Sequence, residues 1–135
     1  MKQRIETSGA PPAAGPYSQA IGAAGFVFCA GQVGVDPATG ALVEGGVEAQ
    51  AERVLLNLTA VLEAAALTLD DIVKTTCFLA DIGDFAAFNS VYARFFGDTP
   101  PARSTFQVAA LPLGARVEIE AIAVRPEVSA VRPEA

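Results

Sequence analysis

"VEAQAERVLLNLTAVLEAAA", residues 47–66, carries the period that organises this chain. Ala51, Val54, Leu55, Leu58, Val61, Leu62 and Ala65 recur at steps of three and four, which puts them on one stripe of a helix. Glu48, Glu52, Arg53, Asn57 and Glu63 lie mostly off that stripe. A long helix with one apolar stripe needs one covering surface, and the flanking segments read as strands. The spacing therefore predicts an amphipathic helix over 47–66 laid on a sheet.

Working outward, "RIE" (4–6) reads as a short strand and "TSGAPPAAGP" (7–16) as a Gly/Pro-rich loop that cannot be helical. "YSQAIGAAGFVFCAGQVGV" (17–35) reads as a hairpin with Gly25 near its turn, and "DPATGALV" as a turn using Pro37 and Gly40. "DDIVKTTCFLADI" (70–82) is a β-rich run. "DFAAFNSVYARFF" (84–96) returns to helical spacing, with Phe85, Phe88, Val91, Tyr92 and Phe95 on one side, Asp84 as N-cap and Gly97 as stop. Strands follow at about 102–109 and 116–125, and "PEVSAVRPEA" reads as a frayed tail. The order β-β-β-α-β-α-β-β predicts one α+β domain over 1–126, with two helices packed on one face of a mixed sheet and a tail at 127–135.

Composition narrows the function. Of the 135 residues, 52% are hydrophobic and 18% charged, below the usual charged share of about 25%. So apolar a chain leaves excess surface as a monomer and calls for a buried subunit interface. Its net charge is −6 and its nine Lys+Arg form no cluster, so a dedicated nucleic-acid role is disfavoured. "MKQRIETSGAPP" lacks the apolar core of a signal peptide, and no apolar run is long enough to span a bilayer, so the default location is the cytoplasm. Cys29 and Cys77 sit in apolar runs without a CxxC, as reduced, buried hydrophobes would. The chain has no histidine at all, which removes the usual general base, the Ser-His-Asp triad, the Cys-His dyad and most transition-metal sites. Chemistry here must run on carboxylates, hydroxyls, Arg, Lys, backbone groups and water.

The last two strands hold the charges that fit this restriction. Alternation in "ARSTFQVA" groups Arg103, Thr105 and Gln107 on one face, and in "ARVEIEAIAV" it groups Arg116, Glu118 and Glu120. With these strands paired as an antiparallel hairpin and their apolar faces under the helices, Arg103, Thr105, Glu118 and Glu120 would share one sheet face. Arg grips a carboxylate through two parallel N–H donors, and a free carboxylate nearby can orient a water. That pair suits hydrolysis of a small acid with an activated carbon, such as an imine. The plainer alternative is a cross-strand ion pair of Arg103 with Glu118 or Glu120 that only helps a sheet or interface.

Five segments in order, "GPYSQAI", "AGQVGVDPATG", "AQAERVLLNLTAVLEAA", "DDIVKTTCFLADIGDFAAFNSVYARFF" and "PPARSTFQVAALPLGARVEIEAIAV", closely resemble the Rid family, the reactive intermediate deaminase or RidA/YjgF group, also catalogued as endoribonuclease-like. The likeness covers about residues 3–126. It implies a chorismate-mutase-like fold assembled as a homotrimer with sites between subunits. The implied activity is hydrolysis of enamine and imine intermediates, such as 2-aminoacrylate and 2-iminobutanoate, to 2-keto acids and ammonia, with no cofactor and no metal. It further implies that Arg103 grips the substrate carboxylate, Glu118 positions the water, Tyr17 lines the site, and Asn89 and Gly31 belong to it. Each of the last three has a structural alternative: interface packing for Tyr17, support for Asn89, backbone geometry for Gly31. Two positions depart from the family pattern. Ala30 replaces the serine of "SGQ", and Thr105 stands among the binding residues where a cysteine is common, keeping a polar group. These departures leave open a different small-acid substrate, or a non-catalytic ligand-binding or chaperone-like trimer.

Overall fold

In the computed structural model, which describes residues 1–126, the long helix α1 runs Gly46–Ala64. Its stripe is buried as the period predicts: Ala51, Val54, Leu55, Leu58, Val61 and Leu62 are all wholly covered. Removing each leucine from water contributes about 1.5–3 kcal/mol. The segment 127–135 lies outside the described residues.

The sheet beneath α1 is built from β1 (Gln3–Ile5), β2 (Ala20–Ala23), β3 (Phe26–Val33), β6 (Ile72–Leu79), β7 (Ala102–Gln107) and β8 (Val117–Val124), in the spatial order β1-β2-β3-β8-β6-β7. All neighbours are antiparallel except β6 and β7, which are parallel because helix α2 (Phe85–Tyr92) carries the chain back between them. The predicted α+β architecture, with both helices on one face of a mixed sheet, is the observed one. The segment read as a plain turn at 36–43 also holds a small ribbon, β4 (Val35–Asp36) with β5 (Ala41–Leu42).

One expectation fails, and it matters for the site. β7 and β8 do not pair; β6 lies between them. The apolar alternation of β8, with Val117, Ile119, Ala121 and Ala123 buried, suits a central position. The more polar β7 has one hydrogen-bonded neighbour and takes the edge, where side chains need less apolar cover.

Helix ends and polar pins also differ from expectation. Asp84 occupies the N-cap position of α2, but its side chain caps nothing; its carboxylate instead accepts a hydrogen bond from Arg116 at 3.2 Å. α2 ends at Tyr92, short of Gly97. Asn57, read as off the stripe, is fully buried: its amide donates to Val35 O (2.9 Å) while its oxygen accepts from Arg53 Nε (3.1 Å). Gln50 accepts from the Arg116 backbone N–H at 2.8 Å, tying α1 to the start of β8. Gly34 lets the end of β3 pass against α1, since a Cβ there would come within 2.8 Å of Gln50 Cα.

The face of the sheet away from the helices is open. It exposes Phe26, Phe28 (44% exposed) and Phe106 (45%), and Phe106 meets Phe78 edge-on at 5.3 Å. No described helix is long and apolar enough to cross a membrane.

Candidate functional site

Sheet register decides where the two charged candidates point. Arg103 is the parallel partner of Thr75, which is buried under the helices; Glu118 is the antiparallel partner of Phe78. Thr75 and Phe78 are an odd number of residues apart on one strand, so they face opposite sides. Arg103 and Thr105 therefore lie on the helix side, and Glu118 and Glu120 on the open side. The expectation that all four share a face is corrected: the chain separates them into two clusters. The plain alternative, an Arg103 ion pair with Glu118 or Glu120, is also absent among the described residues.

The Glu118 cluster forms where β3 bulges. Between Cys29 and Gln32 the register against β8 slips by one residue, so Ala30 and Gly31 both sit opposite the stretch between Ala121 and Ile119. The Glu118 carboxylate packs directly on Gly31, where a Cβ would come within 2.9 Å of Glu118 Cδ. This supplies the geometric reason for a glycine there. A cleft of about 780 Å³ opens beside them, lined by Tyr17, Ala30, Gly31, Leu113, Glu118 and Glu120 among others. Burial raises the pKa of Glu118 above the ordinary carboxylate value, and the like charge of Glu120 adds to the rise.

Tyr17 reaches this cleft from a loop whose order the composition alone did not reveal. Buried Gln19 pins it: the amide donates to Pro11 O (2.7 Å) and Thr7 O (3.1 Å) and its oxygen accepts from Thr7 N (2.8 Å). Tyr17 Oη accepts from Ala14 N at 3.1 Å. Leu113, at the cleft's edge, is 69% exposed and has a left-handed backbone (φ 62°), an arrangement no periodicity signals.

The Arg103 cluster lies between the edge strand β7 and α2. The guanidinium carbon stands 4.7 Å from the ring centre of Tyr92, 5.5 Å from Phe88 and 5.6 Å from Phe85. Two polar atoms in this region are buried without a hydrogen-bond partner, Asn89 Oδ1 and Thr105 Oγ1. A buried polar atom left unmatched costs about 1–3 kcal/mol, so such orphans mark places that something else completes. The structure thus groups Arg103, Thr105 and Asn89 in one cluster and Glu118, Gly31 and Tyr17 in the other.

The thiols belong to neither chemistry. Burial pushes Cys29 up to about 12 and Cys77 to about 11, far from the thiolate state that makes a nucleophile.

A helix-backed mixed sheet carrying an arginine cluster on one side and a carboxylate cleft on the other defines a small α+β protein with two separate charged clusters. The chain belongs to the RidA/YjgF family: the family model described as Endoribonuclease L-PSP matches residues 7–125. It is 49% identical over 125 residues to the mouse protein named 2-iminobutanoate/2-iminopropanoate deaminase, covering 93% of each chain. Among solved structures, a putative endoribonuclease from Thermotoga maritima superposes with a TM-score of 0.91 at 50% identity, covering 94% of this chain and all of that one. The Escherichia coli TdcF structure with bound serine gives 0.88 at 46%, covering 92% and 99%.

Proposed function

We propose that this protein is a hydrolytic deaminase of reactive enamine and imine acids, of the 2-aminoacrylate and 2-iminobutanoate type, working as a homotrimer with each site completed across a subunit boundary. Arg103 of one chain grips the substrate carboxylate, and Glu118 of the next positions the attacking water. The observation that carries this reading is the division itself, two charged clusters on opposite sides of one sheet; in the proposed assembly a head-to-tail ring joins them. Heterologous contacts of this kind close into cyclic assemblies. The names of the relatives support the substrate class, and the serine bound in TdcF is a small acid of the right size.

The chemistry asks little of the protein. Arg103 holds the carboxylate by its two-pronged N–H fork and so fixes the imine carbon. Ionised Glu118 takes a proton from water as the oxygen adds to that carbon, and the C=N π electrons pass to nitrogen. Glu118 returns that proton to the nitrogen, which completes the neutral carbinolamine. Glu118 then relays the hydroxyl proton to the amino group, so that the C–N bond breaks, ammonia leaves and C=O forms. Because its pKa is raised, Glu118 holds that proton more readily than an ordinary carboxylate does. Asn89 and Thr105 supply hydrogen bonds beside Arg103, and Tyr17 with Gly31 shapes the cleft around Glu118. Ala30 lines the same cleft and favours a second reading, in which the chemistry is kept but the preferred imine differs.

Subunit mixing tests the composite site. Arg103→Ala and Glu118→Gln proteins, each inactive alone, are refolded together in equal amounts and assayed on imine made by a threonine dehydratase. Random three-membered rings restore both groups in about a quarter of the sites, so about a quarter of the wild-type rate should return. A mixture no faster than either parent, beside an active wild type, would refute the shared site. A wild type that does not speed keto-acid release would refute the deaminase.

A further inference from the structure

The arginine cluster contains an arrangement that the reaction just described does not use. Phe85, Phe88 and Tyr92 occupy one side of α2, and their rings surround the Arg103 guanidinium at 5.6, 5.5 and 4.7 Å. All three distances fall within the range in which a cation is drawn to an aromatic face. Among the described residues, Arg103 makes no ion pair and no side-chain hydrogen bond. We infer that these rings form a cradle that holds the Arg103 guanidinium by cation–π contact and leaves its N–H donors without a partner in the chain, free for an incoming carboxylate, so that Phe85, Phe88 and Tyr92 are positioning residues for substrate capture.

The physical reason lies in the shape of the group. A guanidinium is planar and stacks on aromatic rings through its faces, whereas its five N–H donors lie in the plane. A carboxylate partner within the chain would fix the side chain as well, but it would occupy the donors that the substrate needs. Aromatic rings orient the cation without competing for its donors.

The cradle is itself held. Tyr92 Oη and Thr75 Oγ1 share a hydrogen bond of 2.7 Å, and Thr75 is fully buried. Thr75 is also the register partner of Arg103 across the β6–β7 pair. The strand neighbour of the arginine thus fixes the ring lying closest to it. Tyr92 packs in turn against Phe96 at 4.6 Å and Phe88 at 5.5 Å, which leaves its ring little freedom. Phe85 is different. It is 39% exposed, so replacing it disturbs the core least.

This inference rests on Arg103 as the carboxylate anchor, and its test keeps the two ideas apart. The full-length wild-type protein is compared with Phe85→Leu, which removes the ring but keeps apolar bulk, and with Phe85→Tyr, which keeps the ring; Tyr92→Phe tests the other side. Three quantities are read: the ¹⁵N–¹H resonance and order of Arg103 Nε, the affinity for 2-oxobutanoate by calorimetry, and KM and kcat on the imine. In the wild type, the Arg103 signal should be ring-shifted and nearly as ordered as the backbone. Phe85→Leu should reduce both shift and order, and weaken 2-oxobutanoate binding and raise KM by about three- to tenfold with kcat unchanged. Phe85→Tyr should restore all of them, and Tyr92→Phe should keep the Arg103 signal ordered. A disordered Arg103 in the wild type overturns the cradle, and so does a Phe85→Leu protein that matches the wild type in signal and affinity. A weaker KM with an unchanged Arg103 signal overturns it too, because the effect then travels by another route. A wild type without deaminase activity, but with ring-dependent order at Arg103 and ring-dependent binding of 2-oxobutanoate, sinks the enzyme reading and leaves the cradle standing.

Discussion

Gly31 sits against the carboxylate of Glu118 so closely that the smallest side chain would overlap it. The bulge in β3 creates this contact by turning Gly31 toward β8, and the glycine in turn leaves room for the acid. Each feature explains the other. Gly31→Ala should force Glu118 out of place. Since displacement of a catalytic group by about 1 Å costs on the order of 100-fold, kcat should fall by roughly that much, with a crystal structure showing the carboxylate rotated away. A fully active Gly31→Ala protein would mean that the position of Glu118 is immaterial to the reaction.

Glu118 should also set the acidic limb of the pH profile. In the proposed reaction it works ionised, and burial followed by the charge of Glu120 raises its pKa, so activity should fall with acid at a higher pH than an unperturbed carboxylate would give. Glu120→Gln removes the repulsive charge while burial remains. The limb should then move to lower pH but not as far as that of an unperturbed carboxylate, since the larger cause, burial, remains. Profiles of kcat/KM for both proteins check the sign; a limb moving upward contradicts it.

Thr105 separates a structural from a chemical role. Its hydroxyl is buried without a partner, so Thr105→Val removes a mismatched polar group and keeps the shape. Stability should stay level or rise by up to about 1 kcal/mol. Activity should nonetheless fall, by about two- to tenfold, if the hydroxyl serves the substrate. Denaturant midpoints and kinetics on the same preparations decide this: a less stable but fully active variant would assign Thr105 to the fold.

Asn57 makes the opposite case. It is fully buried and holds Val35 O from within α1. Asn57→Ala leaves buried carbonyl oxygens unmatched, and about 1–3 kcal/mol of stability should be lost while KM and kcat stay near wild type. Equilibrium unfolding in urea measures the first, and steady-state kinetics the second.

Much of the fold was legible from residue spacing. The stripe from Ala51 to Leu62 is period-3.6 information carried by neighbours in the chain, and it located α1 within two residues at each end. The strands at 72–79 and 117–124 followed from short β-branched runs, and the order of elements named the class. Local patterns could not reveal Asn57 or Gln19 as buried pins, because their partners are backbone carbonyls in other segments, reached only when the loop or sheet folds back. Nor could they place Leu113 in a left-handed conformation, since leucine has no local preference for it.

The site shows the same boundary. Candidates for the chemistry could be named from the missing histidine, from the residue types at 103 and 118, and from likeness to a family. Which side of the sheet each occupies could not. Alternation along β7 and β8 groups residues by parity within a strand, but two strands can be joined with either parity. β6 between them settles the matter by pairing Thr75 with Arg103 and Phe78 with Glu118. The amino-acid order therefore determined the elements and their chemical endowment, because those depend on interactions a few residues long. Tertiary structure alone decided that arginine and acid stand on opposite faces, because strand neighbours are chosen by long-range burial: apolar β8 takes the centre and polar β7 the edge.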